Sequence, residues 1–398
     1  MRILKISGKI FLGLIGTLLF IQLLFYAWAP VYDFPESLPF HGDSIFNPYR
    51  NLDSSSWRKA NFHYHARAWL GLTDGSGNSY EEFTRIYGML GYDAPQISNY
   101  QHIDRHFQDS SWYIPTYEHG FGIRKKHQIL IGARQVLWFD LAFFQTLSHK
   151  QFVLDLLRKQ NDIVAIAHPD WDQGYSSGDL QYLTNYDLIE ALNNNWRSVP
   201  QWDAALSSGH AAFILADDDA HDIRNVYEVG LCCTYIHAPG KSPAEMIRAL
   251  KTGQAYGADI DINYNDTYDI KAREASRLPL LKQVRISHDT LFVEVTGKAL
   301  SIAFIGQHGQ IRKIAGDTHR AWYVIGPEDT YIRTTIRFYN YKGERGTMLY
   351  LNPVFRTTGG GIPPPRLATV NTTKTWLQRI LSFTVIFLII GVVLIRKK

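Results

Sequence analysis

Two uncharged apolar runs, one near each end of the chain, constrain its fold more than any other feature. Residues 10–30 read IFLGLIGTLLFIQLLFYAWAP. At about 1.5 Å of rise per residue, a helix of that length crosses a hydrocarbon core of about 30 Å. Residues 380–395, ILSFTVIFLIIGVVLI, form the second run. It is shorter, and Leu377 and a snorkelling Arg379 extend it, with Trp376 suited to an interfacial belt. Neither run has a polar face, which sets both apart from ordinary core helices. A cleaved signal peptide would have a shorter apolar stretch and small residues at its exit; Phe25, Tyr26 and Trp28 stand there, so the expectation is an uncleaved anchor. Arg2, Lys5 and Lys9 precede the first run, and Arg396, Lys397 and Lys398 end the chain. The positive-inside rule then puts both termini in the cytoplasm and the segment between them outside, on the periplasmic face of a bacterial inner membrane.

The 398 residues leave room for one large and one smaller domain between these anchors. Residues 31–57 are rich in Pro, Ser, Asp and Asn and read as a linker. Over residues 58–262 short apolar runs alternate with helical patterns: 162–167 (DIVAIA), 188–192 (LIEAL) and 211–216 (AAFILA), with helices expected over 147–159 and 242–252. Ser242, Pro243 and Glu245 supply a cap, a first-turn proline and a capping box for the latter. Buried strands alternating with helices predict a parallel α/β sheet or barrel. Over 263–355 the strands become short, alternating and turn-separated, which predicts a small β-sandwich. Residues 356–376 form a Gly/Pro-rich linker, and 377–398 the second anchor with its basic tail.

The net charge of +4 is small and spread out and gives no argument for a nucleic-acid partner, so none is expected. The two cysteines, Cys232 and Cys233, are adjacent, about 3.8 Å apart at Cα, too close for ordinary disulfide geometry, and read as a buried apolar pair. Asn265 and Asn371 begin Asn-X-Thr triplets, which matter only where such sites are glycosylated.

The chemistry lies in histidines and carboxylates at strand ends. His63 and His65 are i and i+2, so on a strand both imidazoles share a face. Asp74 follows in a Gly-rich loop; Glu118 follows an aromatic stretch; His127 precedes an apolar strand; His168 ends DIVAIA; Asp219 and His221 follow AAFILA at spacing i, i+2. Active sites of β/α barrels lie at the C-terminal ends of the strands, and a metal removes the cost of burying such charge. Imidazole and carboxylate ligands suit Zn, Mn or Fe(II) rather than Ca. Two such ions can carry a bridging hydroxide and clamp a phosphoryl group. Arg67, and Arg124, Lys125 and Lys126, are candidates to hold phosphate, although such a charge run also suits a solvated face. Trp69 and Trp171 flank ligand motifs, suited to stacking on a sugar or base or to packing. His119 is a candidate proton donor beside Glu118.

Taken in order, His63-Tyr-His65, Thr73-Asp-Gly75, Glu118, His127, Ala167-His-Pro169, Asp218-Asp-Ala-His221, the segment 249–256 and Tyr350-Leu-Asn-Pro-Val354 resemble the motifs of the PHP (polymerase and histidinol phosphatase) family over residues 58–355. The resemblance implies a distorted seven-stranded β/α barrel with two or three metals and hydrolysis of phosphate esters. It implies that His63, His65 and Asp219 bind one metal, that His127 and His168 bind a second, and that Glu118 bridges them. Asp74 and His221 would hold a third. The chain departs from the family where a Thr-Asp-His motif is usual: Ser98-Asn99-Tyr100 stands there, which leaves a two-metal centre and an incomplete third site. Tyr100 is then expected to aim its hydroxyl at the pocket, with His102 as the only nearby substitute ligand. The substrate class implied is a phosphorylated small molecule or glycan. An amidohydrolase barrel, with its usual modified-lysine bridge, fits Glu118 and Asp219-Ala-His221 less well. A binding or sensory module with weakened catalysis is the alternative that Asn99-Tyr100 supports.

Overall fold

The computed structural model describes residues 2–260, 267–340 and 345–395. The expected boundary at 262–263, Asn265 and the basic tail at 396–398 lie outside the described residues, as do the side chains of Arg2, Lys5 and Lys9.

The chain starts with α1 (Arg2–Trp28), then two short strands, β1 (Tyr32–Asp33) and β2 (Ser44–Phe46). β3 (Trp57–Asn61), α2 (Tyr80–Met89), β4 (Ala94–Pro95), β5 (Thr116–His119) and β6 (Gln128–Ala133) follow. Strand and helix then alternate: α3 (Leu147–Arg158), β7 (Asn161–Ile166), α4 (Ser177–Leu180), β8 (Leu188–Asn193), α5 (Val199–Ser207) and β9 (Phe213–Asp217). β10 (Cys232–His237), α6 (Pro243–Lys251) and β11 (Ala255–Asp259) complete the mixed α/β part. After α7 (Tyr268–Ala275) the chain is strand-rich: β12 (Leu281–Ser287), β13 (Thr290–Ile305), β14 (Ile311–Val324), β15 (Tyr331–Tyr339), β16 (Arg345–Leu351), β17 (Val354–Thr357) and β18 (Thr369–Val370). It ends in α8 (Thr372–Ile395).

The local signals act as their chemistry requires. Thr146 caps α3 and forms a capping box with His149. Ser242 accepts from the Glu245 amide at the start of α6, but the reciprocal bond of the expected box is absent, and Glu245 Oε2 has no partner. Residues 163–166 of β7 are wholly buried, as a strand covered on both faces must be. Cys232 and Cys233 are free and buried in β10.

One sheet has the order β5-β6-β7-β8-β9. β7, β8 and β9 are parallel, but β5/β6 and β6/β7 are antiparallel, a correction to the expected parallel sheet. The β5–β6 connection, residues 120–127, is too short for a helical crossover, so the chain must reverse. Backbone bonds extend this sheet at both edges. Glu118 N donates to Ser98 O (3.2 Å) and Gln101 N to Glu118 O (2.8 Å), beside a parallel Tyr100–Glu118 bridge. Asp219 N donates to His63 O (2.8 Å) and His65 N to Ala220 O (3.0 Å). With the parallel β3/β4 pair, these links return the order β3 through β9 to β3.

The strand-rich part is not separate. In the second sheet, β12-β13-β15-β16-β11-β10-β3-β4, strand β16 pairs with β11 in the register Tyr256↔Leu351 to Asp259↔Met348. Asn352 adds to this seam: its Oδ1 accepts from Ile214 N (2.8 Å), and its Nδ2 donates to the carbonyls of Gly253 and Ala255. Arg333 on β15 makes a bidentate pair with Asp203 on α5, both bonds 2.7 Å and both groups buried.

The two apolar helices, Ile10–Trp28 and Thr372–Val392, are long and apolar enough to cross a membrane and are almost wholly unburied. They leave the body side by side. β1 pairs antiparallel with β18, Gln378 Nε2 donates to Ala29 O (3.3 Å), and Arg379 donates to Trp28 O (2.8 Å). Asn371 caps α8, accepting from Lys374 N (2.9 Å), and its amide donates to Asp33 (2.7 Å).

Candidate metal centre

His63 and His65 lie just past β3, and the two backbone bonds to Asp219 and Ala220 fix them opposite the end of β9. Glu118 sits on β5, His127 just before β6, His168 just after β7, and Asp219 just after β9. His168 and Asp219 both have positive φ, 26° and 51°, conformations that cost energy in non-glycine residues and mark positions over-determined by their surroundings. All six side chains are buried.

They converge on Glu118. On one side, Glu118 Oε2 lies 3.3 Å from His63 Nε2 and 3.2 Å from His65 Nε2. Asp219 Oδ1 faces the same two nitrogens at 3.0 and 3.3 Å. On the other side, Glu118 Oε1 lies 2.6 Å from His127 Nδ1 and 3.3 Å from His168 Nε2. Two sets of atoms, His63-His65-Asp219 and His63-Glu118-His168, are close enough together to hold metal ions. His63 Nε2, His65 Nε2, Glu118 Oε2, His127 Nδ1 and Asp219 Oδ1 are buried and lack a hydrogen-bond partner. Unpartnered buried lone pairs facing one another are costly unless a cation fills the space, so the donor set fits divalent metal.

The charges follow from this crowding. Burial alone would raise the Glu118 carboxyl, but His127 and His63 outweigh it and hold it well below the carboxylate range. Burial is likewise overcome at Asp219, where His63 and His65 keep the carboxyl ionised. Burial opposes charge on His63, yet Asp219, Glu190 and Glu118 draw its pKa well above the ordinary histidine value. The site therefore attracts positive charge strongly.

Neither Asp74 nor His221 belongs to either set, although His221 Nδ1 lies 3.8 Å from Asp219 Oδ1. Asp74 is exposed. His221 points Nδ1 at the Asp219 carbonyl (2.9 Å) and Nε2 at the Tyr100 hydroxyl (3.2 Å). Tyr100 and His221 both stack on His65, with centroids 4.3 and 4.2 Å away, and lie 6.2 Å from each other. Burial raises the Tyr100 phenol, and Glu118, Asp219 and Asp74 add to the effect, so it stays protonated. Asn99 is structural: its Oδ1 accepts from Ala66 N (2.8 Å). His102 is exposed and lies edge-on to Trp69.

One expectation needs correcting. His119, one residue from Glu118 on a strand, faces the opposite way; its ring nitrogens meet Gln128 Oε1 (2.7 Å) and Phe139 O (3.0 Å), so it is not free to serve the centre. Arg67 is exposed on the loop past the first motif. Of the basic run, Lys126 is buried, Arg124 pairs with Asp172 at the surface, and Lys125 lies 4.3 Å over Trp171, which in turn meets His168 edge-on. Sequence reasoning missed Glu190 on β8. Its Oε1 accepts from His63 Nδ1 (2.9 Å) and its Oε2 from His168 N (2.7 Å), which leaves His63 Nε2 free for the centre. Asn193 likewise donates to Asp219 Oδ2 (3.0 Å).

No family model and no curated protein matches this chain. Among solved structures, it is similar to a two-domain protein from Bacteroides vulgatus that contains a predicted PHP-like metal-dependent phosphoesterase, at 14% identity and a TM-score of 0.36 over 80% of this chain and 99% of that one. A likeness that weak carries no argument about the chemistry, which rests on the residues themselves.

Proposed function

We propose that the chain is a membrane-tethered, metal-dependent phosphoesterase. Glu118 carries this reading, because its two oxygens each face a separate pair of buried histidine nitrogens, Oε2 those of His63 and His65 and Oε1 those of His127 and His168. On this reading His63, His65 and Asp219 would hold one ion and His127 and His168 a second, with one Glu118 oxygen facing each group. The closed strand order β3–β9 is a distorted barrel, with residues 263–355 as an appended sandwich-like domain. Zn, Mn or Fe(II) suits the donor set. Bound divalent ions supply a hydroxide at neutral pH and neutralise the phosphoryl charge. Water oxygen joins phosphorus, the ester P–O bond breaks, and the leaving oxygen takes a proton. Glu190 and Asn193 orient His63 and Asp219, and Tyr100 gives its hydroxyl proton to His221 Nε2, which leaves the phenol oxygen as an acceptor. Residues 31–376 lie on the periplasmic side, where a phosphorylated small molecule or glycan is the substrate.

The test is elemental analysis and phosphate release on purified full-length protein and on Glu118→Ala. About two ions per chain are expected in the wild type, with ions and activity both lost in the variant. Full metal retention in Glu118→Ala, or hydrolysis that survives metal removal, would refute the reading.

A further inference from the structure

The level at which α1 meets the body is informative. Arg379 lies 4.0 Å over the Trp28 ring and 5.3 Å from Trp376, an arginine–tryptophan cluster of the kind that marks a membrane interface. The body does not stop at that level. Tyr26 OH accepts from Phe143 N (2.8 Å), and Gln22 bonds Ala142 N (3.0 Å) and the Asp140 carbonyl (3.3 Å). Phe25 packs on Phe139 at 4.7 Å. Gln22 precedes Trp28 by about 9 Å along a helix axis. The loop 139–143 is therefore fastened to the apolar part of α1, on the hydrocarbon side of the tryptophan cluster.

The surface around that loop is apolar. Trp138 and Phe144 are exposed beside it, and so are Phe121 and Ile123. Leu70 and Leu72 are 95% and 87% exposed on the neighbouring loop, where Trp69 and Leu70 both hold positive φ. Trp69 meets Trp138 edge-on at 5.5 Å and donates to Tyr100 O (2.8 Å), joining this rim to the residue stacked on His65. A groove between Trp69, Phe121 and Trp138 is also lined by Tyr100 and Gly120, and Tyr100 stacks on His65. Arg67 is exposed on the loop that carries Leu70 and Leu72, and Arg124, paired with Asp172, lies 5.6 Å over Phe144, a mixture of cationic and apolar groups that suits an anionic lipid surface.

We propose that the mouth of the metal centre is set into the bilayer leaflet facing the body, and that its substrate is an amphiphilic phosphate ester drawn from that leaflet along the Trp69–Trp138 groove. This rests on the phosphoesterase reading for the reaction, but the placement of the rim does not. The full-length protein is reconstituted in phosphatidylglycerol/phosphatidylcholine vesicles, with nitroxide labels at Leu70→Cys, Phe144→Cys and, as a control, Ile314→Cys, which is exposed on β14. Oxygen should quench the first two more than a water-soluble nickel chelate does, and the control the reverse; aqueous accessibility at 70 and 144 would overturn the proposal. In parallel, hydrolysis of phosphatidylglycerol or phosphatidic acid in the bilayer is compared with that of p-nitrophenyl phosphate, for the wild type and the Leu70→Ser/Phe144→Ser variant. The ratio of bilayer to soluble turnover should fall about tenfold or more in the variant, because less apolar surface enters the leaflet. Turnover of the soluble ester with none of the bilayer lipids cut would overturn the substrate class while leaving the phosphoesterase reading intact. If no ester is cut in either form, the phosphoesterase reading falls and takes the substrate class with it, while the label depths still decide the rim.

Discussion

Glu190 uses both carboxylate oxygens to hold two histidines, and neither oxygen faces the centre. Such a group acts on metal through its neighbours, so Glu190→Gln should weaken metal affinity about 10–100-fold with the fold intact, measured by competition with a chromogenic chelator. An unchanged affinity would mean that the His63 ring is held by packing alone. His210 gives a pH prediction away from the centre. Its ring is half-buried, stacked on Tyr186 at 4.2 Å and bonded to the Tyr186 carbonyl (3.3 Å), and desolvation pushes its pKa down to about 4. The unfolded chain then binds the proton between the ordinary histidine value and about 4, so stability falls as pH drops through that window and the loss is complete below it. His210→Asn should remove about 2 kcal/mol of the destabilisation between pH 7 and pH 5, read from denaturant melts at both. The convergence of these histidines and carboxylates was legible because HxH and DxH spacing on strands has one geometric meaning. Glu190 was not, since a single acid inside LIEAL reads as an interruption of an apolar strand. His119 misled because adjacency in sequence is opposition on a strand.

Among the elements, the strand–helix alternation from α3 to β9 followed directly from the apolar runs and caps. The antiparallel entry of β5 and β6 did not, because direction depends on where a short loop sends the chain. Nor did the β11–β16 seam, since no local pattern tells a strand near residue 256 that its partner lies near 351. The ion pair between Asp203 and Arg333 fastens α5 to β15 across this seam. Removing one member leaves the other buried and unpaired, so Arg333→Ala should cost about 3–5 kcal/mol, seen as a lower denaturation midpoint. Asp203→Asn/Arg333→Met should recover much of that loss. If it does not, the pair is specifying the seam rather than merely neutralising a charge.

For the whole molecule, a continuous sheet predicts a single cooperative unfolding transition of the body, with no separate melting of residues 263–355. Two resolved transitions in calorimetry would show that the seam is weak. The proposed topology places both termini on one side. Protease added to intact spheroplasts should digest the body, while tags at residues 1 and 398 stay protected until the membrane is opened; full protection of the body would reverse the orientation. The paired roots of α1 and α8, clasped by β1 and β18, also bear on shedding. A protein on one stalk is released into the surrounding fluid by a single proteolytic nick. On the proposed topology a cut at either root leaves the other holding, and a cut in the loop 356–368 leaves α8 clasped to its partner, so release requires two independent cleavages.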